Sequence, residues 1–376
     1  MPPLGYRRLQ AAALGLAALL TLGLSGLLSP RLAPRYTVTD LGVLPGDTES
    51  SATAINSGGV AVGFSQGTCK RACIFAGGNV MSLGALPGGS GSGAGGINSR
   101  GEVTGTAWLL TGNHAFLYSG GKMQDLGTLP GFRDSEGAGI NDGGESTGNV
   151  TNLTGRAGLT PRHGFFYSHG RMIALGLLPG FTTSDGRSIN AAGQVAGVCY
   201  SDSGRIRCAP FLYDTRRNSM TALPLPPPYR WGFAHHINGH GEVAGNISTM
   251  NRGVRAALWS GGKLTDLGIP PGFSGSTAQG LNDQGEAIGC CFRDYSPVEV
   301  FLRNHVSGDN ALRLYLDRDT TRAFVYRQDK MQNLNELIPS SADWILEEAR
   351  GINDRGQIVG QGLHHGQERG FLLTPR

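Results

Sequence analysis

Residues 140–148 read Ile-Asn-Asp-Gly-Gly-Glu-Ser-Thr-Gly, and variants of this nine-residue stretch occur seven times along the chain. The shared pattern is Ile-Asn-x-x-Gly-x-x-x-Gly, with Leu in place of Ile in the sixth copy. Its asparagines are Asn56, Asn98, Asn141, Asn190, Asn238, Asn282 and Asn353. Its closing glycines, seven residues further on, are Gly63, Gly105, Gly148, Gly197, Gly245, Gly289 and Gly360. Repetition with one strict internal spacing indicates an architecture built from a single repeated unit.

The motif predicts a tight β-hairpin turn in every copy. A glycine three residues after the asparagine supplies the left-handed backbone conformation that closes such a turn. The asparagine side chain can accept a hydrogen bond from the turn backbone. The strand that follows alternates, as in Gln-Val-Ala-Gly at 194–197, and we expect its closing glycine to mark a bulge or a close approach of neighbouring backbone.

Other landmarks complete the unit. A leucine precedes the asparagine by 15 residues in six copies, and four copies continue from there into a Leu-Pro-Gly turn. A further hairpin, such as 114–127, lies between one motif and the next. Four short strands in about 42–49 residues are typical of one blade of a β-propeller.

The two ends of the repeat region indicate how the ring closes. The region opens with the second half of the outer hairpin at 36–42 and finishes with the first half at 370–373. Pairing of these strands would complete a blade and leave no open sheet edge. We therefore predict an all-β fold over residues 34–376, a propeller of seven four-stranded blades. An open β-array and two smaller sheets are the alternatives.

Residues 1–33 have a different composition. Arg7 and Arg8 precede an uncharged stretch at 9–30 that consists mainly of Leu, Ala and Gly. This is the pattern of a secretory signal peptide, but the stretch is also nearly long enough to be an uncleaved membrane anchor. Both interpretations predict an exported protein, extracellular or periplasmic, that touches a membrane only through this segment.

Charge and cysteine content limit the functional classes. The net charge is +4, and three arginines of the leader account for most of it, which excludes a nucleic-acid footprint. Six cysteines suit an oxidising compartment, and the pairs Cys69/Cys73 and Cys199/Cys208 each fall in one connection. We predict local disulfides there, with unpaired half-buried thiols as the alternative. No CxxC pair is present, so a cysteine metal site is not predicted.

Several of these segments resemble the bacterial extracellular HAF repeat family. They are His-Ala-Phe at 114–116, the run Asp-Leu-Gly-Thr-Leu-Pro-Gly at 125–131, and the sevenfold motif itself. The resemblance covers essentially all of 36–376 and implies export, in a family without an established activity. The triplet is intact once and drifts at 71–73, 163–165 and 322–324.

Length variation is concentrated in the connection between the second and third strands of each unit. Equivalent loops of a propeller emerge on one face, so this variation predicts a binding face. The residues that we assign to it are Arg293, Asp294, Arg303, Asp317, His364 and His365. The leading hypothesis is a monomeric, non-catalytic binding module for a protein or polysaccharide, with no metal and no cofactor.

The alternative hypothesis is an extracytoplasmic polysaccharide hydrolase or lyase with an axial carboxylate or histidine site. Asp40, Asp125 and Asp266 recur at one repeat position and could surround the channel, whereas His235, His236 and His240 flank the fifth asparagine. All six also suit structural roles. The aspartates can be cross-strand or turn partners, and strand alternation places His235 and His236 on opposite faces. The sequence contains no nucleophile elbow, phosphate loop or dinucleotide fingerprint. A purely structural surface array is the third possibility.

Overall fold

The computed structural model describes residues 35–152, 162–201, 207–249, 253–293 and 321–376. The predicted leader lies outside the described residues, as do Asp294, Arg303 and Asp317. In the ranges given above, no helix has the length and apolar character needed to cross a membrane.

The described residues form seven antiparallel sheets of four strands each, arranged as the blades of a propeller. Blade 1 contains β2 (Glu49–Ile55), β3 (Ala61–Gln66), β4 (Lys70–Ala76) and β5 (Asn79–Ser82). Blade 2 contains β6 (Gly89–Ile97), β7 (Val103–Leu109), β8 (Gly112–Ser119) and β9 (Lys122–Asp125). Blade 3 contains β10 (Asp134–Ile140), β11 (Ser146–Thr151), β12 (Arg162–Ser168) and β13 (Arg171–Ala174).

The remaining blades repeat this order. Blade 4 contains β14 (Thr183–Ile189), β15 (Gln194–Ser201), β16 (Arg207–Asp214) and β17 (Ser219–Ala222). Blade 5 contains β18 (Trp231–Ile237), β19 (Val243–Ser248), β20 (Val254–Ser260) and β21 (Lys263–Gly268). Blade 6 contains β22 (Gly275–Leu281), β23 (Ala287–Phe292), β24 (Thr321–Arg327) and β25 (Lys330–Asn333). Blade 7 contains β26 (Trp344–Ile352), β27 (Ile358–His364), β28 (Gln367–Pro375) and β1 (Tyr36–Asp40), with two short 3₁₀ helices (Leu334–Glu336 and Ser340–Ala342) before it.

The two ends of the repeat region meet in blade 7. Strand β1 pairs antiparallel with β28, from Tyr36 opposite Pro375 to Asp40 opposite Phe371. The first strand of the chain is therefore the outer strand of the last blade, and the ring has no open edge at its seam. Both the seven-bladed propeller and its predicted closure are confirmed.

The recurrent glycines have two separate conformational roles. The glycine three residues after each asparagine has a positive φ in all seven turns, as at Gly144 with 78°, which confirms the predicted turn. The closing glycine instead lies against backbone. A Cβ at Gly148 would sit 1.9 Å from the carbonyl oxygen of Glu136 and 2.8 Å from the ring of Phe165. Only glycine permits this approach of the second strand to the first.

The His-Ala-Phe triplet at 114–116 is a packing unit. Phe116 is fully buried opposite Gly105, and the backbone N–H of Ala115 donates to Oγ of Ser135 in the next blade at 2.8 Å. Nδ1 of His114 lies 2.8 Å from Oδ2 of Asp125 on the outer strand. Each residue of the triplet thus stabilises a blade or the interface between two blades.

A serine six residues before the asparagine carries this interblade bond in five blades. Ser50, Ser92, Ser135, Ser184 and Ser276 each accept a backbone N–H from the third strand of the preceding blade. Blade 5 has Gly232 at this position, opposite Pro210. Proline has no N–H to donate, so no acceptor is needed there.

The seven asparagines form a closed ring of hydrogen bonds around the axis, which we call the asparagine ring. Each Nδ2 donates to the backbone carbonyl of the asparagine in the next blade, over 3.0 to 3.3 Å. The ring closes where Asn353 donates to the carbonyl oxygen of Asn56. All seven side chains are buried, and a buried amide that is bonded in this way stabilises the fold.

Each asparagine amide also holds its own turn. Oδ1 of Asn141 accepts from the backbone N–H groups of Gly143 and Glu145, both at 3.0 Å. Its Nδ2 also donates to the carboxylate of Glu145 at 2.7 Å. Six of the seven copies have such a glutamate or glutamine four residues after the asparagine, and Val60 takes this place in the first. The side-chain nitrogen of Asn141 thus donates two hydrogen bonds, and its oxygen accepts two.

The structure contains neither of the predicted disulfides, because no two of the six cysteines are bonded to each other. Cys199 lies opposite Ala209, and Cys208 lies opposite Tyr200. Because neighbouring residues of a strand point to opposite faces, the two thiols cannot meet. Cys73 is buried in a strand whereas Cys69 is exposed in the loop before it. Burial raises the pKa of Cys73 to about 12 and that of Cys199 to about 11, as expected for unreactive structural thiols.

The asparagine ring gives a stability prediction. Asn141→Ala removes the bond to the next blade and leaves two turn N–H groups without their acceptor, so we expect the free energy of unfolding to fall by about 2–4 kcal/mol. Asn79→Ala, at an exposed position on β5, serves as the control, with an expected change below about 0.5 kcal/mol. Chemical denaturation followed by fluorescence measures both, and equal losses would contradict a special role of the ring.

Candidate ligand-binding site in the central channel

The first strand of every blade lines a central channel. The residue before each asparagine is Ile, or Leu in blade 6. All seven of these residues border one cavity, the six isoleucines also border a second, and each cavity has a volume of about 240 Å³. We call these cavities the asparagine-end cup, on the side of the turns, and the loop-end cup, on the side of the variable connections. The aliphatic ring divides the channel between them, so each cup has an apolar floor.

The asparagine-end cup is acidic. Besides the asparagines themselves, its lining includes three carboxylates, those of Asp142, Asp283 and Asp354, and no Lys or Arg from the described residues. All three carboxylates accept a backbone N–H group from the neighbouring turn, as Asp142 does from Ser99 at 2.8 Å. The acidic residues on this side therefore contribute to the contact between blades.

The loop-end cup is formed mainly by bulged residues. In every first strand the register with the second strand shifts around the residue three positions before the asparagine. A bulge of this kind turns a side chain away from the alternation of the strand. These seven residues all line the cup: Thr53, Gly95, Ala138, Arg187, His235, Gln279 and Arg350.

The two halves of this cup differ in chemistry. Blades 1, 2 and 3 contribute the small residues Thr53, Gly95 and Ala138. Blades 4 to 7 contribute two guanidinium groups, an imidazole and a carboxamide, which are long polar side chains. One side of the cup is therefore open space, and the other side is an arc of hydrogen-bonding groups from blades 4 to 7, which we call the crescent. No acidic residue of the described chain lines the cup.

The two arginines of the crescent are held in place by polar side chains that lie closer to the variable loops. Arg350 donates through Nε and Nη2 to Glu348 at 3.0 and 2.8 Å, and through Nη1 to Ser51 at 3.0 Å. Nη2 of Arg187 donates to Asp185 at 3.2 Å and to the hydroxyl of Tyr200 at 3.4 Å. Such charged bonds fix a guanidinium group while part of its five N–H donors stays available.

Asp185 is the centre of a wider network at this level. Its carboxylate is buried, and Oδ2 also accepts from Arg162 and from the Tyr200 hydroxyl, each at 3.2 Å. Burial, followed by the charge of Asp185, raises the pKa of Tyr200 to about 12. The phenol of Tyr200 therefore keeps its proton at neutral pH and donates it to Asp185. Its oxygen accepts from Arg187 and holds that side chain in place.

His235 is a neutral member of the crescent. Burial, reinforced by the charge of Arg187, lowers its pKa to about 4. Nδ2 of Asn246 lies 3.2 Å from Nε2 of the ring and 3.0 Å from the hydroxyl of Thr277. Because the amide donates to Nε2, the proton of the neutral ring resides on Nδ1. His235 thus adds an N–H donor without a charge.

Several candidate residues from the sequence occupy positions that strand patterns did not predict. Of the two roles considered for Asp40, Asp125 and Asp266, the structure supports the structural one, because all three lie on outer strands and not at the channel. There each pairs with a basic side chain of the third strand, as Asp266 does with Arg255 at 2.7 Å. His235 and His236 do not point to opposite faces, since the bulge brings both to the channel. His240 lies in the turn, with Nδ1 3.9 Å from Asp283.

Two of the predicted loop residues form a stack at the rim of blade 7. The ring of His364 lies parallel to that of Trp344 with centroids 4.5 Å apart, and His365 stacks on His364 at 4.2 Å. Asp40 and Asp343 each bind one of these imidazoles. Arg293 ends the described part of its loop. Within the described residues, no group of three potential ligands could hold a metal ion.

The channel histidines predict a pH-dependent stability. Burial lowers the pKa of His236 as well, to about 4, so between this value and about 6.5 the unfolded chain binds more protons. The free energy of unfolding should therefore fall as the pH is lowered from 6.5, by at most about 1.4 kcal/mol per pH unit for each histidine.

We expect His235→Asn combined with His236→Asn to flatten this dependence in denaturant titrations at pH 7 and pH 5. His169→Asn is the control, since His169 is exposed at a turn with φ 48° that asparagine tolerates. The same pH dependence in the double variant and in the control would contradict the assignment.

Comparisons with known proteins identify the architecture. No protein-family model matches the sequence, and a search of the curated proteins finds no match; the resemblance to the HAF repeat family stays a prediction. Among solved structures, the oligogalacturonate lyase of Vibrio parahaemolyticus is similar with a TM-score of 0.56 and 8% identity, over 91% of this chain and 97% of that one. An oligogalacturonate lyase in complex with manganese gives 0.55 and 10%, over 92% and 97%. At such identities the likeness concerns the propeller fold alone.

Proposed function

We propose that this chain is an exported, non-catalytic binding protein whose ligand, a saccharide or a protein segment, enters the loop-end cup. The observation that carries the proposal is the contrast within one position of the repeat. Thr53, Gly95 and Ala138 demonstrate that a blade folds with a small residue there. The fold therefore does not require Arg187, His235, Gln279 and Arg350 at the same position in blades 4 to 7.

Long polar side chains in a channel carry a desolvation cost, which a ligand offsets by pairing with them. The variable connections leave the propeller at the same end as this cup, since the second strand of each blade runs towards it. Those loops can enlarge the contact with a polymer whose end or side group occupies the cup. Concave polar sites on a rigid scaffold with variable loops around them are typical of binding proteins.

A polysaccharide lyase or hydrolase is the second candidate, and His235 is the observation that favours it. A neutral imidazole beside Arg187 is suited in principle to proton abstraction. However, Nε2 already accepts from Asn246, and the other ring nitrogen carries the proton, so no lone pair is left to act as a base. The two similar oligogalacturonate lyases share the fold with this chain at 8% and 10% identity. Binding without turnover is the function that this geometry supports best.

Filling one cup at a time tests the proposal. Ala138→Phe places a ring in the open half of the loop-end cup, and Ala191→Phe makes the same change at an exposed position of the asparagine-end cup. On an array of defined oligosaccharides and peptides we expect the first variant to lose binding at least about tenfold and the second to retain it. Thermal unfolding establishes that both variants are folded.

The same array samples decide between binding and catalysis. A binding protein leaves every bound oligosaccharide intact, whereas a lyase releases an unsaturated sugar that absorbs ultraviolet light and a hydrolase releases new reducing ends. Turnover that the Ala138→Phe variant loses would replace the binding proposal with an enzyme. Equal binding by both variants would place the ligand elsewhere.

A further inference from the structure

We infer that the loop-end cup recognises a sugar that bears one anionic group, a carboxylate or a sulfate ester. This inference rests on the proposed function and specifies its ligand class. It follows from the charges that line the cup, from the donors that remain available there, and from the contrast with the opposite cup.

The charges at the cup have one sign. Arg187 and Arg350 line the cup, whereas their partners Asp185 and Glu348 lie one level further towards the loops and do not line it. A ligand seated in the cup is therefore lined by two guanidinium groups and by no carboxylate of the described chain. The asparagine-end cup, with three carboxylates and no cation from the described residues, presents the opposite potential. The linings of the two cups thus carry charges of opposite sign.

The donors of the crescent retain capacity for a ligand. Arg187 uses only Nη2 in its bonds to Asp185 and Tyr200, so its Nε and Nη1 donors are unused among the described residues. Arg350 binds Glu348 and Ser51 through three of its five N–H groups. A guanidinium group that is fixed by a carboxylate and still has free donors is suited to an oxyanion.

The rest of the cup suits the body of a sugar. The floor is the aliphatic ring, which can contact the C–H groups of a pyranose, and the open half is bordered by Gly95, Ala138 and Thr53. The carboxamide of Gln279 can both donate to and accept from hydroxyl groups. A volume of about 240 Å³ is enough for one monosaccharide unit and too small for a folded partner. Aromatic rings of Tyr200 and Phe233 pack edge to face at 6.0 Å near the entrance.

Isothermal titration with three small probes tests the inference. D-glucuronate and glucose 6-sulfate carry the two candidate anionic groups, and D-glucuronamide is the neutral isostere of the first. We expect at least one anionic probe to bind at least about tenfold more tightly than the amide, because a charged bond to guanidinium is lost in the amide. Preference between the two anions identifies which group the cup takes. Equal affinity for glucuronate, glucose 6-sulfate and the amide would overturn the inference.

Variants assign the binding to the cup. Arg187→Gln and Arg350→Gln should each weaken the preferred anion at least about tenfold, with Arg187→Lys as a milder change that keeps the charge. Arg100→Gln is the matched control, since Arg100 is exposed in a turn at the opposite end of the axis. Circular dichroism checks that each variant is folded. An effect of Arg100→Gln equal to that of the cup variants would overturn the inference.

The outcome separates the ligand class from the proposed function. If neutral oligosaccharides bind and Ala138→Phe abolishes that binding while no anionic probe binds, the inference fails and the binding function stands. If neither the probes nor any array component binds, both fail.

Discussion

The structure depends on one hydrogen-bonding group, the side-chain amide of the asparagine that ends each inner strand. Its oxygen closes the turn to the second strand, and its nitrogen reaches the carbonyl of the next asparagine. Seven such bonds in a closed ring fix the distance of every inner strand from the axis. The radius of the channel, and with it the size of both cups, follows from the reach of this single side chain.

Around this ring, some positions of the repeat keep one residue type in most blades because of packing, and others vary from blade to blade. The closing glycine makes the same close contact in all seven blades, and the serine six residues before the asparagine and the phenylalanine of the third strand each recur in five, as Gly148, Ser135 and Phe116 illustrate. The side chains at the bulged position make contacts that differ from blade to blade. At this place in a blade the side chain can therefore change from Gly to Arg without loss of the fold, and the side chains of the seven blades differ in chemistry there.

Sequence patterns predicted the scaffold because its determinants are local. The turn depends on an asparagine and a glycine three residues apart, and the seam follows from the half hairpins at 36–42 and 370–373. The glutamates and glutamines four residues after the asparagine, such as Glu145, also form a visible column, but their partner is the asparagine amide, and this becomes apparent only in three dimensions.

The candidate site was not predictable from alternation. Strand periodicity assigns His235 and His236 to opposite faces, and the bulge brings both to the lumen. The aspartates at 40, 125 and 266 share one position of the repeat in three of the seven copies, yet their strand is the outermost of each blade. An internal alignment of the seven copies does contain the necessary signal, a position that varies from Gly95 to Arg350. Its meaning depends on knowing that this position faces the axis.

A crystal structure of the protein soaked with D-glucuronate and glucose 6-sulfate would locate the ligand. We expect one sugar in the loop-end cup, above the aliphatic ring, with its anionic group within hydrogen-bonding distance of Arg187 or Arg350 and only solvent in the asparagine-end cup. A sugar bound at the asparagine end, or on the outer edges of the blades with the loop-end cup filled by solvent, would contradict it.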